Sequence, residues 1–291
     1  MKSFLTRISL LALALSLTSV CSFAAGPAAD SAGNPGYPGA YTPGGNPGFG
    51  FLPWVMVPTP GAGFAANFYG SSVGNGDGVD DGLVGGLPGD GDINSPGAGA
   101  WGLAAGGGGV MDVYRGFALG PMVPGETFSL AMDNGFLAGS PPGTPPGFAS
   151  SVGFTLDVGV GVGAPALFTF GFVGGDATYS FIDALGVKVF TPIAFTDEGL
   201  NVSVLAAPGA GASLLTIKTK GGAMAAIPIT LAGPPVQVHL FDNNGAGGGG
   251  GGSFDVFFND FAIAAPVPEP TTLALLGFGL LGALAWRRRG A

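Results

Sequence analysis

Residues 151–158 read Ser151-Val152-Gly153-Phe154-Thr155-Leu156-Asp157-Val158. Val152, Phe154, Leu156 and Val158 alternate with Gly153, Thr155 and Asp157. A period of two residues buries one face of a β-strand and leaves the other in water. The same alternation recurs at Phe128, Leu130 and Met132, at Leu215, Ile217 and Thr219, and at Val236, Val238 and Leu240. Ala166 to Val173 and Phe254 to Ile263 are more continuously apolar, which predicts central strands. Turn-rich stretches such as Gly139 to Gly147 and Asn243 to Ser253 separate the runs, and no part of the body shows helical periodicity. Many short strands with glycine-rich turns predict an all-β fold, an antiparallel two-sheet sandwich or jelly roll.

Both ends of the chain stand apart from this body. Lys2 and Arg7 precede an apolar run from Ile8 to Val20, and Ser22-Phe23-Ala24 places small residues at the −3 and −1 positions of a cleavage site. Residues 1–24 therefore read as a secretory signal peptide. At the other end, Pro268-Glu269-Pro270 precedes an apolar run over 271–286 and then Arg287-Arg288-Arg289. Sixteen helical residues span about 24 Å against a hydrocarbon core of about 30 Å, a short but sufficient transmembrane helix. Three arginines after it act as a membrane stop and orient the C-terminus to the cytoplasm. The body is then outside.

Pro268-Glu269-Pro270, the following helix and the terminal arginines closely resemble a PEP-CTERM sorting signal. The resemblance covers about the last 25 residues, and it implies processing by an exosortase near Pro268, Glu269 and Pro270. In that picture the helix is a transient inner-membrane anchor, and the product goes to the cell surface or an extracellular polysaccharide matrix of a Gram-negative bacterium. The predicted domains are 1–24 signal peptide, 25–50 a flexible Gly/Pro-rich linker, 51–265 the β-sandwich, and 266–291 the sorting signal.

Composition excludes several functions. The single cysteine, Cys21, leaves with the signal peptide, so the body has no disulfide or thiol chemistry. Residues 25–270 hold four basic residues (Arg115, Lys188, Lys218, Lys220) against eighteen acidic ones, a net charge of −14. Such a surface repels phosphate backbones, so nucleic acid is not expected as a partner. His239 is the one histidine and sits on the wet side of an alternating run. Every Ser-His-Asp arrangement would have to pass through it, and a histidine zinc site is excluded by count. Glu126 and Glu198 are the only glutamates outside the tail. The Glu-x-Asp-x-x-Glu pattern of laminarinase-type enzymes is missing. The expectation is a protein that is not an enzyme, with no catalytic residues.

One loop carries candidate ligands. Asn75 to Asn94 contains Asp77, Asp80, Asp81, Asp90 and Asp92. Calcium takes six to eight oxygens, and Asp90-x-Asp92-x-Asn94 supplies the first three alternating ligands of an EF-type loop. Ser95 and Trp101 then replace the glycine and the glutamate that such a loop requires. A solvated Asp/Gly turn is the simpler reading. Calcium held by Asp77, Asp81, Asp90, Asp92 and Asn94 is the alternative. Trp54, Trp101, Tyr69, Tyr114 and Tyr179 are candidates for stacking on sugar rings, with core packing as the competing reading.

The body also resembles a recurring β-sandwich of PEP-CTERM proteins that is similar to concanavalin-like lectin folds. The pieces are Gly91-Asp92-Ile93-Asn94, Trp101-Gly102-Leu103, Thr127-Phe128-Ser129-Leu130, Phe172-Val173-Gly174-Gly175-Asp176 and Asp255-Val256-Phe257-Phe258-Asn259-Asp260-Phe261. Two expectations follow. The first is a structural protein of the surface or biofilm matrix. The second is a carbohydrate-binding module, with calcium assisting.

Overall fold

The computed structural model describes residues 27–37, 41–61, 63–72, 93–95, 99–135, 137, 150–196, 199–207, 211–244 and 254–266. The alternating runs become strands, numbered in chain order, and all their pairings are antiparallel. One sheet has eight strands: β1 (Ala28–Asp30), β3 (Phe64–Gly70), β4 (Ala100–Gly106), β6 (Thr127–Asn134), β11 (Leu200–Leu205), β12 (Ser213–Thr219), β13 (Met224–Ile229) and β15 (Phe254–Ala264). Its order is β13-β12-β11-β6-β15-β4-β3, with β1 paired to β15 beside that path. The other sheet has seven: β2 (Val55–Thr59), β5 (Val110–Gly116), β7 (Ser151–Asp157), β8 (Ala166–Val173), β9 (Thr178–Ile182), β10 (Lys188–Ala194) and β14 (Gln237–Asn243). Its order is β10-β9-β8-β7-β14-β5-β2. No α-helix occurs among the described residues.

The inward positions are those that the period assigned. Phe128, Leu130 and Met132 face Val152, Phe154 and Leu156 across one core, joined by Val202, Val204, Leu215, Ile217, Val238, Leu240 and Phe258. Val158 departs from the expectation and is 44% exposed, because the chain leaves the sheet at Asp157 and turns back through residues 158–165. Three of the four outer strands of the two sheets carry a proline: Pro58 in β2, Pro192 in β10 and Pro228 in β13. A proline offers no N–H to an incoming strand, so these edges resist sheet extension.

β15 runs through the centre of the larger sheet and changes partners halfway. Phe254 to Phe258 pair with β4, and Phe261 to Ile263 pair with β1. Between them the pairing with β6 shifts register, and Asp260 adopts φ 51°. The buried Asn259 side chain fills the junction. Its Oδ1 accepts from the Ala32 N–H at 2.8 Å, and its Nδ2 donates to the Ile93 carbonyl at 2.7 Å and Ser95 Oγ at 2.9 Å.

The described part of the tract expected to be a linker, 27–37 and 41–50, is folded onto the sandwich instead. β1 joins the sheet, and Tyr37 and Tyr41 are buried in the main core. The reason is a buried cation. Arg115 follows Met111 and Val113 on the inward face of β5 and is fully buried. Its Nη1 is paired with Asp30 Oδ2 and donates to Tyr37 Oη at 3.0 Å. Nη2 donates to Asn46 Oδ1 at 2.8 Å, and Nε to the Leu52 carbonyl at 3.2 Å. The guanidinium also lies 4.3 Å from the Trp54 ring centroid and 5.0 Å from that of Phe51. A charge in an apolar core is tolerated only when it is paired in this way at each nitrogen, and described residues between Asp30 and Trp54 supply all of these partners.

Removing one partner should therefore unfold more than a contact. Arg115→Ala should destabilise the protein by about 3–5 kcal/mol, since it strands the buried Asp30 carboxylate. Urea denaturation followed by tryptophan fluorescence measures this. A loss under about 1 kcal/mol, the worth of a surface pair, would contradict the arrangement.

Candidate functional site

The outer face of the seven-stranded sheet carries a set of polar groups on regular structure. Register places Asp112, Phe241, Gly153, Gly171, Ser180 and Phe190 in one row across β5, β14, β7, β8, β9 and β10. The next row holds Tyr114, His239, Thr155, Thr169, Ile182 and Lys188. The two glycines leave the middle of the first row without side chains. The result is a shallow groove of about 170 Å³, bordered by Phe241, Ser151, Thr169, Ser180 and Lys188.

Beside the groove, His239 Nε2 lies 2.8 Å from Asp112 Oδ1, and its ring stacks on Tyr114 at 4.2 Å between centroids. His239 Nδ1 is 3.4 Å from Thr155 Oγ1. The geometry superficially suggests an Asp-His-Thr relay. The Thr155 hydroxyl, however, donates to Asp157 Oδ1 at 2.6 Å, so its proton points away from the imidazole. Gln237 Nε2 donates to the other Asp157 oxygen at 2.9 Å, and Gln237 Oε1 accepts from Gly161 N–H at 2.7 Å. This chain of bonds straps the 158–165 loop to the sheet. Burial raises the Asp157 carboxyl above its ordinary range, against hydrogen bonds from Thr155 and Gln237 that lower it. Burial, with the charges of Asp112 and Asp157, pushes the Tyr114 phenol up to about 12.

The remaining candidates divide sharply. Trp54, Trp101 and Tyr179 are core residues, each at most 1% exposed, and offer no ring to a sugar. Tyr114 is spent on His239, and Tyr69 Oη donates to the Ala32 carbonyl and accepts from Gly99 N–H. Glu126 is buried away from the groove, with Oε2 accepting from Val123 N–H at 2.8 Å. Glu198 lies outside the described residues, as do Asp77, Asp81, Asp90, Asp92, the Pro268, Glu269 and Pro270 motif and Arg287, Arg288 and Arg289. Asn94 is described, and its amide joins the two feet of the acidic loop. Oδ1 accepts from Ser72 N–H at 2.9 Å, and Nδ2 donates to Ser71 Oγ at 3.0 Å. Next to it is the open cleft at the β15 junction, about 680 Å³, bordered by Asp30, Asn34, Ser95 and Asp260. Asp30 there is committed to Arg115. Among the described residues no three His, Cys, Asp or Glu side chains converge as metal ligands.

Comparison with known proteins adds one firm identification. Residues 266–289 match the PEP-CTERM protein-sorting motif. No curated protein matches the chain. Among solved structures, the chain is similar to a legume lectin-like domain from Entamoeba histolytica, with TM-score 0.38 and 10% identity over 56% of this chain and 82% of that one. It is similar to the Emp47p carbohydrate recognition domain, with TM-score 0.38 and 12% identity over 60% and 86%. It is also similar to a prokaryotic β-1,3-1,4-glucanase derived from a mouse hindgut metagenome, with TM-score 0.34 and 13% identity over 54% and 80%.

The buried carboxyls set the pH response of stability. Glu126 and Asp157 both have raised pKa values, each mainly through burial. The native state therefore holds these protons more tightly than the unfolded chain does. Stability falls as pH rises through the raised values, and it recovers as pH falls toward the ordinary carboxyl values. Thermal unfolding should occur at higher temperature close to the ordinary carboxyl values, at about pH 4.5, than at about pH 8. A midpoint that rises from the first pH to the second would contradict these assignments.

Proposed function

We propose that this chain is an exported, exosortase-processed protein whose β-sandwich serves as a structural component of the cell surface or its extracellular matrix. The observation that carries the reading is the sorting motif at 266–289, which begins where the last strand ends. The apolar run at 271–286 serves as a transient anchor, Arg287, Arg288 and Arg289 as its cytoplasmic stop, and Pro268-Glu269-Pro270 as the processing site. Several features of the body agree with a structural role. Its tryptophans are internal, its charge is strongly acidic, and three of four sheet edges carry proline. Such a body persists as a unit in an open environment without extending its sheets into neighbours.

The outer-face groove supports a second reading, binding of extracellular polysaccharide. Hydroxyls of Ser151, Thr169 and Ser180 border a bare floor, and the Phe241 ring offers an apolar wall for a sugar face. Calcium at the acidic loop would belong to this reading, with Asp77, Asp81, Asp90, Asp92 and Asn94 as ligands. Retention on immobilised surface polysaccharide, with and without chelator, separates it from the structural role.

Mass spectrometry of the surface fraction tests the main reading. The expected C-terminus lies near Pro270. Surface-located protein retaining intact Arg287–Arg289 would refute processing.

A further inference from the structure

The exposed apolar side chains are not scattered. Six loops gather at the end of the sandwich where β5, β7, β9, β11, β13 and β15 finish, and there the described chain ends at Pro266. Hydrogen bonds stitch these loops into one surface. Ala118 N–H donates to the Gly50 carbonyl, Met122 to Pro235, Gly125 to Ala206 and Ala184 to Thr230. Gly211 N–H reaches Thr230 Oγ1, and Gly161 N–H reaches Gln237 Oε1. On this surface Val160 is 61% exposed, Val162 60%, Leu185 72%, Val187 62% and Leu119 48%. Of the other large exposed apolar residues described, Val189 and Phe190 lie on the outer strand β10, and Phe64 and Met224 lie at the opposite end. A depression of about 350 Å³ lies within this end, lined by Met122, Pro124, Ala206, Ala207 and the stretch 231–234.

Charge is arranged in the opposite sense. The loops 46–54, 117–126, 158–165, 183–187, 206–212 and 230–236 contain two ionisable residues, Glu126 and Asp183. Both are buried, and Asp183 is held by the N–H groups of Leu185 and Thr230. A body of charge −14 thus has one end without an exposed charge in its loops. An apolar, uncharged patch of this kind marks an interaction surface.

The chain itself points to the occupant. Four residues, 267–270, separate Pro266 from the apolar run that begins at Thr271. Fully extended, they reach at most about 14 Å. Pro266 packs against Gly125, within this same surface. Residue 27 also enters here, since Ala28 pairs with Ile263 near the end of β15. We infer that, before processing, the loop end of the sandwich rests on the outer surface of the lipid bilayer, with Val160, Val162 and Leu185 in the headgroup region. This rests on the reading of 271–286 as an inserted helix. So short a tether makes the contact intramolecular, so a weak affinity suffices to hold it. Scission near Pro270 removes the tether, and the same weak affinity then lets the body leave the bilayer.

The test uses residues 25–291, the chain without its signal peptide, reconstituted in phosphatidylcholine vesicles with one environment-sensitive fluorophore at a time. The positions are Val160→Cys, Leu185→Cys, Met224→Cys at the far end, and Leu276→Cys within the helix. Nitroxide lipids should quench the labels at 160, 185 and 276 several-fold more strongly than the label at 224. Quenching at 276 alone, with 160 and 185 as water-exposed as 224, overturns the inference and leaves the anchor intact. No quenching at 276 overturns the anchor and the inference together. Burial of 160 and 185 that vanishes when the protein is diluted across excess vesicles would assign this end to contact between two copies, and it overturns the inference as well.

Discussion

The ion pair between Arg115 and Asp30 is the constraint around which the rest of the body is arranged. It puts a full positive charge at an inward position of β5, where every neighbour in the alternating pattern is apolar. Desolvation makes that position unfavourable unless each nitrogen is paired. The occupants come from the N-terminal tract: Asp30, Tyr37, Asn46 and the Leu52 carbonyl. The Tyr37 phenol then accepts from Trp54 Nε1, and Trp54 packs edge-on against Trp101 and at a tilt against Phe261. One charge therefore links the tract, the smaller sheet and the central strand of the larger one.

Period two reads out of the sequence because it reflects a local constraint. Each strand alternates regardless of its partner, so Phe128, Phe154, Ile217 and Leu240 are assigned inward from their own neighbours. The same rule places Arg115 inward, two positions after Val113. Its counter-ion is 85 positions away, and no local rule connects them. The described tract, 27–37 and 41–50, departs from a flexible linker for a related reason. Its glycines and prolines match the composition of a flexible chain, yet here they permit close approach. A Cβ on Gly36 would meet Pro47 at 2.3 Å, and one on Gly48 would meet Asp30 at 2.3 Å. Asn34-Pro35-Gly36-Tyr37 forms a turn, closed by the Tyr37 N–H to the Asn34 carbonyl, and it packs on Asn46-Pro47-Gly48-Phe49, with Asn34 Nδ2 donating to the Pro47 carbonyl. The tyrosines within the tract were the available clue, because a free linker has no use for large buried rings.

The functional features divide along the same line. A sorting signal is recognised as a linear segment, so it is legible without a fold. The outer-face groove is not, because it depends on Gly153 standing opposite Gly171 and on Phe241 standing opposite Gly153, which only strand register decides. The valines of residues 158–162 continue the alternation of β7, yet they lie beyond its last pair. Their exposure appears only once the loop is placed. The acidic loop is legible in composition alone, and the structure adds that Asn94 and Asn259 pin its feet.

The central claim is that the Gly/Pro tract belongs to the folded body, held there by Arg115. Hydrogen–deuterium exchange of the exported chain addresses it directly. The Ala29, Ala32 and Phe49 amides donate to Phe49, Asn259 and Ala29, respectively, in the described structure. Their protection should match that of the β15 amides and be lost only on global unfolding. Exchange of these three amides at the rate of an unstructured peptide, with β15 still protected, would contradict the account.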